Sequence, residues 1–362
     1  MKKLNEKTWK KFDVFGERGF LQIAATSSSI DGIRLKESEV ETVPYITRTD
    51  SSNGVARFVG EENYKYGSDE AGCITVGLDT QTAFYQPHKF VTGQNIQIVS
   101  GDAITTDSAH FYVAILKKQM VAKFNWGGNG ATLGRMCRLE AMFPATEAGT
   151  PDYKYMQDYT KVKRIAMLKN YRRYIEERIS ELGKYVELPP IASLEWQPFY
   201  VTKIFTKIER GKRLKRADQL PGDVPYVSST ALNNGVDGFI QASKGTRVFG
   251  DCISLANSGS VGSAFYEPFD FVASDHVTHL KTEGFNQWIY LFLAVAIEKQ
   301  KCNFNFNREI NDSRVKQMKI MLPVGSGNKP DFKYMEQYAK NMMLRKYKQY
   351  LAFLDAREKQ QT

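Results

Sequence analysis

Hydrophobic positions along the chain follow two rhythms, and the pair of rhythms occurs twice. Short apolar or alternating runs fill residues 1–149: VPYIT (43–47), ARFVG (56–60), CITVGL (73–78), KFVTG (89–93) and NIQIV (95–99). Gly, Asn, Asp and Ser punctuate them, which predicts β-strands joined by turns. One run with helical character, HFYVAILKKQM (110–120), interrupts the series. At Thr150-Pro151-Asp152 the rhythm changes. From there to Gly183 the chain has no further Gly or Pro, and Met156, Tyr159, Val162, Ala166, Tyr171, Ile175, Ile179 and Leu182 recur at three- and four-residue steps. Thr150 as N-cap, Pro151 in the first helical position and Asp152 at the positive terminus predict where this helix starts. Gly183 and Pro189-Pro190 predict where it stops.

The second half repeats the first. AFYQPHKFV (83–91) returns as AFYEPFDFV (264–272), VPYIT as VPYVS (224–228), and NGVARFV (53–59) as NGVDGFI (234–240). GCITV (72–76) meets DCISL (251–255), and PDYKYMQDYTK (151–161) meets PDFKYMEQYAK (330–340). Further strand-like runs are GFIQA, CISLA, FDFVA and HVTHL, with NQWIYLFLAVAIEKQK (286–301) as the matching short helix. A second long helix is expected from Pro330-Asp331, with Met335, Tyr338, Met342, Tyr347, Leu351 and Leu354 on one face. Order and spacing hold throughout, so the chain is a tandem duplication. The predicted class is α+β: a mostly β domain followed by a long α-helix, twice. Each helix would span about 45 Å at 1.5 Å per residue, with stripes suited to packing on each other or on a partner's helices.

Composition narrows the function. With 362 residues, 42% hydrophobic and 25% charged, the chain is ordinary for a soluble globular protein of two domains. The net charge is +10 and both halves are basic, the second more so, which points to an anionic partner and first to nucleic acid. No apolar stretch is long enough to span a membrane, and MKKLNEKTWKKF at the start lacks the apolar run of a signal peptide, so cytoplasm is the default location. Cys73, Cys137, Cys252 and Cys302 stand singly, which disfavours zinc or disulfide frameworks. Cys73 and Cys252 occupy matching apolar runs and read as core residues.

No catalytic constellation emerges. His276 and His279 form an HVTH pair, yet their counterparts are Asn95 and Ile98, so a polar strand face is the better reading than a metal site. NSGSVG (257–262) lacks the P-loop lysine and corresponds to GLDTQT (77–82), which suits a tight turn. PDYK and PDFK are explained by helix capping. There is no NPPY-like motif of an amino-methyltransferase and no glycine-rich cofactor loop. The expected chemistry is therefore recognition, not catalysis.

The polar loops between strands supply the candidates. In the first copy these are Arg34 and Lys36; Arg48, Thr49, Ser51, Ser52 and Asn53; and Asn125, Trp126, Asn129 and Arg135. In the second they are Lys212, Arg213, Lys215 and Arg216; Ser228, Ser229, Thr230, Asn233 and Asn234; Ser258 and Ser260; and Asn305, Asn307, Arg308, Asn311 and Arg314. Arg reads guanine and Asn reads adenine through paired hydrogen bonds, Ser and Thr contact bases or phosphates, and Lys clusters neutralise phosphate. Phe124, Trp126, Phe304 and Phe306 either pack under the loops or lie against sugars. These loops differ freely between copies, whereas AFY-x-P and VPY-[IV]-[TS] barely change: shared segments read as scaffold, divergent loops as two readers.

VPY-[IV]-[TS]…NGV, GSVGSAFYEPFDFVASDHV (259–277) and the PD-[YF]-KYM helix start together resemble the specificity subunits of DNA restriction–modification systems. The resemblance covers essentially the whole chain. It implies target-recognition domains at 1–149 and 188–328 and conserved helices at 150–187 and 329–362, packed together in a pseudo-two-fold arrangement. Double-stranded DNA with two different half-sites would be the ligand, and the helix length would match a separation of at most about 13 base pairs. Methyltransferase or fused methyltransferase–endonuclease subunits, two per chain, would dock through Met156, Tyr159, Tyr171, Ile175, Ile179, Met335, Tyr338, Met342, Tyr347 and Leu351. S-adenosylmethionine and Mg2+ would belong to that partner and no cofactor to this chain. The compact length is closer to the two-gene type IIB (BcgI-like) kind than to the three-gene type I kind. A stand-alone regulator or antirestriction decoy would need the basic loops but not the helix stripes.

Overall fold

The computed structural model describes residues 1–124, 130–243, 245–305 and 307–360. They form two compact units, Met1–Tyr171 and Arg172–Thr362. In the first unit, strands Gln22–Ala25, Ile96–Ser100, Cys73–Gly77 and Ala83–Gln86 make an antiparallel sheet in that spatial order. A smaller sheet joins Val55–Val59, Val43–Ile46 and Val91–Thr92, the last pair parallel. Trp9–Asp13 and Glu140–Pro144 form a separate antiparallel pair. Helix Ala109–Lys123 covers the larger sheet along Ala83–Gln86.

The second unit repeats this strand order. Its larger sheet runs Lys207–Arg210, Val277–Lys281, Cys252–Ala256, Ala264–Glu267. Its smaller sheet runs Val236–Ile240, Pro221–Val227, Val272–Ala273. Trp196–Tyr200 pairs with Lys319–Pro323, and helix Gln287–Glu298 lies along Ala264–Glu267. CITVG and CISLA show no solvent-facing alternation because they are inner strands, buried at every position including Thr75 and Ser254. Ile74, Val76, Val99, Leu116 and Phe143 build one core, and Ile253, Leu255, Leu280, Leu293 and Ile320 build its counterpart. Each such side chain, fully buried, contributes about 1.5–3 kcal/mol. Cys73 and Cys252 are buried within these units, and burial pushes both thiols up to about 12.

The long helices are Tyr153–Leu182 and Phe332–Gln360. Their starts correct the expected cap. Asp152, not Thr150, accepts the Tyr155 amide at 3.0 Å, and Asp331 accepts the Tyr334 amide at 2.9 Å. Thr150 instead bonds the Thr146 hydroxyl at 2.9 Å and Pro151 bridges to Ala145, so the chain is still extended there. Burial raises the Asp152 pKa, but hydrogen bonds from Lys7 and the Tyr155 amide outweigh it and hold the carboxyl below its ordinary range.

The apolar stripe of the first helix is not one continuous buried face. Met156 and Ile175 are fully buried, whereas Val162 and Tyr171 are about half exposed at 52% and 45%, and Ala166 is exposed. Residues through Tyr171 belong to the first unit and those beyond it to the second. Within the second unit, Arg172 pairs with Asp355 at 2.8 Å, and Tyr347 bonds Tyr174 and Arg178, so the end of the first helix packs on the second helix. Asn341 clamps the backbone that follows, accepting from the Val186 amide and donating to its carbonyl at 3.2 and 2.7 Å. Among the described residues no helix is long and apolar enough to cross a membrane.

Candidate nucleic-acid interface

In the second unit the candidate loops converge because each leaves a strand of the paired sheets. Ser260 donates its amide to the Ser229 carbonyl at 2.9 Å, and its hydroxyl accepts the Ala231 amide at 3.1 Å. Asn257 bonds the loop before Val277 through its amide and the His276 carbonyl (2.8 Å), and its side chain donates to the Ile310 carbonyl (2.8 Å). Segments 228–235, 257–263, 274–277, 303–305 and 307–314 are thereby tied into one hydrogen-bonded cluster. NSGSVG is a turn in this network. Gly259 has φ +57°, and a Cβ there would stand 2.8 Å from the Ser229 carbonyl oxygen, so the close approach of two loops requires glycine. An open cavity of about 460 Å³ lies beside it, lined by Arg213, Lys215, Arg216, Ser228, Ser229 and His276 among others.

The repeated NGV motif has a conformational cause. Asn233, Asn234 and Gly235 have φ of 48°, 54° and 82°, and Ser52, Asn53 and Gly54 have 50°, 58° and 80°. Three successive left-handed residues suit Asn and Gly, which reach that region at the lowest cost. The result is the same tight turn at the tip of the same loop in both copies.

The first unit ties its loops together differently. Arg48 forms an ion pair with Asp79, which also accepts from Asn95 at 3.4 Å. Asn53 donates to the Tyr85 carbonyl at 2.9 Å, and Gln86 donates to the Asn53 carbonyl at 3.1 Å. Thr49 and Ser51 share a hydrogen bond of 2.9 Å. Arg135 donates to the Gly130 carbonyl at 3.0 Å. Arg34 rests 5.6 Å above the Tyr66 ring, and Lys36 is exposed.

Several sequence-predicted readers are thus braces. Asn53, Arg48 and Arg135 bond to the chain itself, as does Ser258, whose hydroxyl meets His276 Nδ1 at 2.8 Å. Asn311 caps helix Asp312–Gln317 by accepting the Arg314 amide at 2.8 Å, and Arg314 donates to the Glu309 carbonyl at 2.6 Å. Thr230 accepts the Leu232 amide at 3.1 Å and Asn305 the Asn307 amide at 3.0 Å. What remains turned to solvent is mainly basic or amide: Lys212, Arg213, Lys215, Arg216, Asn233, Asn234, Asn307 and Arg308, with Arg34, Lys36 and Ser52 in the first copy. Lys212, Arg213, Lys215 and Arg216 make no ion pair with a described residue. Phe124 and Phe304 pack against the cores beneath the loops. Asn125, Trp126, Asn129 and Phe306 lie outside the described residues.

Other expectations change as well. His279 does not lie on a polar strand face: it is 4% exposed, stacks 4.1 Å from Phe249 and bonds the Glu209 carbonyl at 2.9 Å. Burial lowers its pKa below the ordinary imidazole value, against the Glu209 hydrogen bond that raises it. Among the described residues no group of three metal-ligating side chains exists. Sequence reading missed Tyr226, Asp275 and His276 as walls of the basic cavity; their signal was position alone, in VPY and SDHV beside the loops. Of the residues expected to meet a partner, Met156, Met335 and Ile175 are fully buried in their own units and cannot be presented outward. Tyr171 is exposed, and Ile179, Tyr347 and Leu351 are half-buried. Tyr159 in the first unit, and Tyr338 and Met342 in the second, border open apolar grooves.

Residues 18–176 and 193–350 each match the type I restriction modification DNA specificity domain. The type II restriction enzyme BgcI specificity subunit S.BcgI of Heyndrickxia coagulans is 29% identical over 316 residues, 87% of this chain and 89% of that protein. The type I restriction-modification system S subunit from M. genitalium aligns over 98% of this chain and 95% of its own, at 15% identity and a TM-score of 0.45. The HsdS subunit from Thermoanaerobacter tengcongensis aligns over 87% and 84%, at 12% identity and a TM-score of 0.32.

Proposed function

This chain belongs to the family of type I restriction modification DNA specificity domains, as a recognition subunit rather than an enzyme, and from that premise we propose that it reads a bipartite, asymmetric duplex sequence. Residues 1–149 and 188–328 are the two readers in this proposal, and 150–187 and 329–362 the helical spacers between them. The observation that carries it is the contrast within the duplication. One strand order and one left-handed turn recur in both units, while the loops around that turn carry different side chains. A shared frame with different readers requires two different half-sites. Lys212, Arg213, Lys215 and Arg216 supply phosphate neutralisation, and Asn233, Asn234, Asn307 and Arg308 are the side chains with donors left for base edges. Methyltransferase subunits, fused to an endonuclease or not, supply S-adenosylmethionine and Mg2+ chemistry, and this chain tells them where to act.

The deciding experiment is a methylation map. The chain is expressed with its methyltransferase partner in a host free of modification, and plasmid DNA is sequenced with modified-base detection. Methylation confined to one split motif, and lost when this chain is omitted, is expected. Methylation that persists unchanged without it overturns the proposal and favours a stand-alone DNA-binding protein.

A further inference from the structure

The basic cavity of the second unit holds charges of both signs. Arg213, Lys215 and Arg216 line it together with Asp237 and Asp275. Asp237 is exposed on strand Val236–Ile240, just after the left-handed turn, and Asp275 is half-buried in the loop before Val277. Tyr226 is buried in the cavity wall. Burial raises its pKa, and the charges of Asp275 and then Asp237 raise it further, so both carboxylates stand near the phenol. Neither carboxylate forms an ion pair or hydrogen bond with a described residue, although three cations share the cavity.

The two copies separate these charges by role. GIRLK (32–36) and GKRLK (211–215) keep the order Arg-Leu-Lys, and Leu35 and Leu214 pack against matching clusters around Tyr45 and Tyr226. A pair of cations is thus held the same way in both readers, as contact with a uniform phosphate backbone requires. Asp237 and Asp275 have no acidic counterpart: the first copy has Ala56 and Gln94 in their places. Carboxylates repel phosphate, so beside phosphate-binding cations they lower affinity for every duplex unless the ligand brings a donor to them. A carboxylate offers acceptors only. In the major groove guanine and thymine present acceptors, adenine sets its N6 amino group beside the N7 acceptor, and cytosine presents its N4 amino group alone. Cytosine is the base whose edge meets an ionised acceptor without repulsion.

We propose that Asp237 is a specificity-determining residue of the second reader, accepting a hydrogen bond from the N4 amino group of a cytosine while Arg213, Lys215 and Arg216 hold the neighbouring phosphates. Asp275 adds negative potential against acceptor edges. This rests on the specificity-subunit reading and extends it from a charge to a base.

The test compares methylation maps directed by the wild-type chain and by Asp237→Asn, each expressed with the methyltransferase partner in a modification-free host. The substitution keeps the size of an exposed side chain and does not threaten folding. One G·C position in one half-site is expected to lose about ten- to hundredfold in selectivity, with the rest of the motif unchanged. Asp275→Asn should relax the same position less. A motif identical to that of the wild type overturns the proposal, and so does a uniform gain in affinity for all sequences, the signature of a charge that only repels phosphate. A second readout places, at that position, a cytosine analogue lacking the exocyclic amino group. The wild-type complex should bind this duplex about tenfold more weakly than the natural one, and the Asp237→Asn complex should bind the two nearly alike. Equal weakening in both proteins overturns the contact. A wild-type chain that directs methylation to no split motif overturns the specificity-subunit reading, and this assignment with it.

Discussion

Gln86 and Glu267 hold the same place in the two copies, one in AFYQP and the other in AFYEP, and they do different work there. Gln86 Nε2 donates to the Asn53 carbonyl and to Thr75 Oγ1 at 3.1 and 3.0 Å, fastening the left-handed turn of its loop to the sheet. Glu267 is fully buried. Ser254 donates to its Oε1 at 2.8 Å, while Oε2 has no partner among the described residues. Burial pushes its pKa from 4.5 up to about 7, against the Ser254 bond that pulls it down. A carboxyl can replace the amide as a donor only while it keeps its proton. At this place the second copy therefore carries a titratable carboxyl bonded to its own sheet through Ser254, where the first carries a permanent amide donor that reaches the loop.

The largest expected difference between the copies lies in charge. Replacing Arg213, Lys215 and Arg216 together by Ala should lower duplex affinity by about a hundredfold near 0.1 M salt and reduce the slope of log affinity against log salt by about 2–3. Replacing Arg34 and Lys36 should do less, because Arg34 is already engaged with Tyr66. Titrations at several salt concentrations check this, and equal losses would remove the asymmetry.

The buried pair predicts a pH effect. Between 4.5 and about 7 the folded chain holds a proton on Glu267 that the unfolded chain has released. Stability contributed at this position therefore falls as pH rises through that window and levels off above it. Glu267→Gln should match the wild type below the window and exceed it above by on the order of 2–3 kcal/mol. Denaturant unfolding at acidic and neutral pH measures this, and parallel stability curves for the two proteins would refute it.

The smallest effect concerns the helix caps. Asp331→Ala should cost about 1 kcal/mol as a lost cap. Asp152→Ala should cost somewhat more, because its carboxyl also pairs with Lys7 at 2.6 Å, both side chains being mostly shielded. Equal shifts in melting temperature would mean that the Lys7 pair contributes nothing.

Much of the architecture was legible in the chain itself. Period-two runs, period-3.6 runs and the second occurrence of each motif identify the strands, helices and duplication, since burial of one face imposes those periods locally. NGV and NSGSVG announce turns because only a few residue types accept left-handed backbone or close approach. What the one-dimensional pattern could not decide is which polar side chains remain available to a ligand. Asn53 meets Tyr85, Arg48 meets Asp79 and Asn257 meets Ile310 across 31 to 53 residues of chain, and each contact exists only once the sheets have paired. The same holds for His279, polar by composition and buried by register, and for the twin grooves, whose walls come from a strand, a short helix and a long helix far apart in sequence. Local periodicity determined the frame; only tertiary packing could decide which polar groups that frame leaves unpaired.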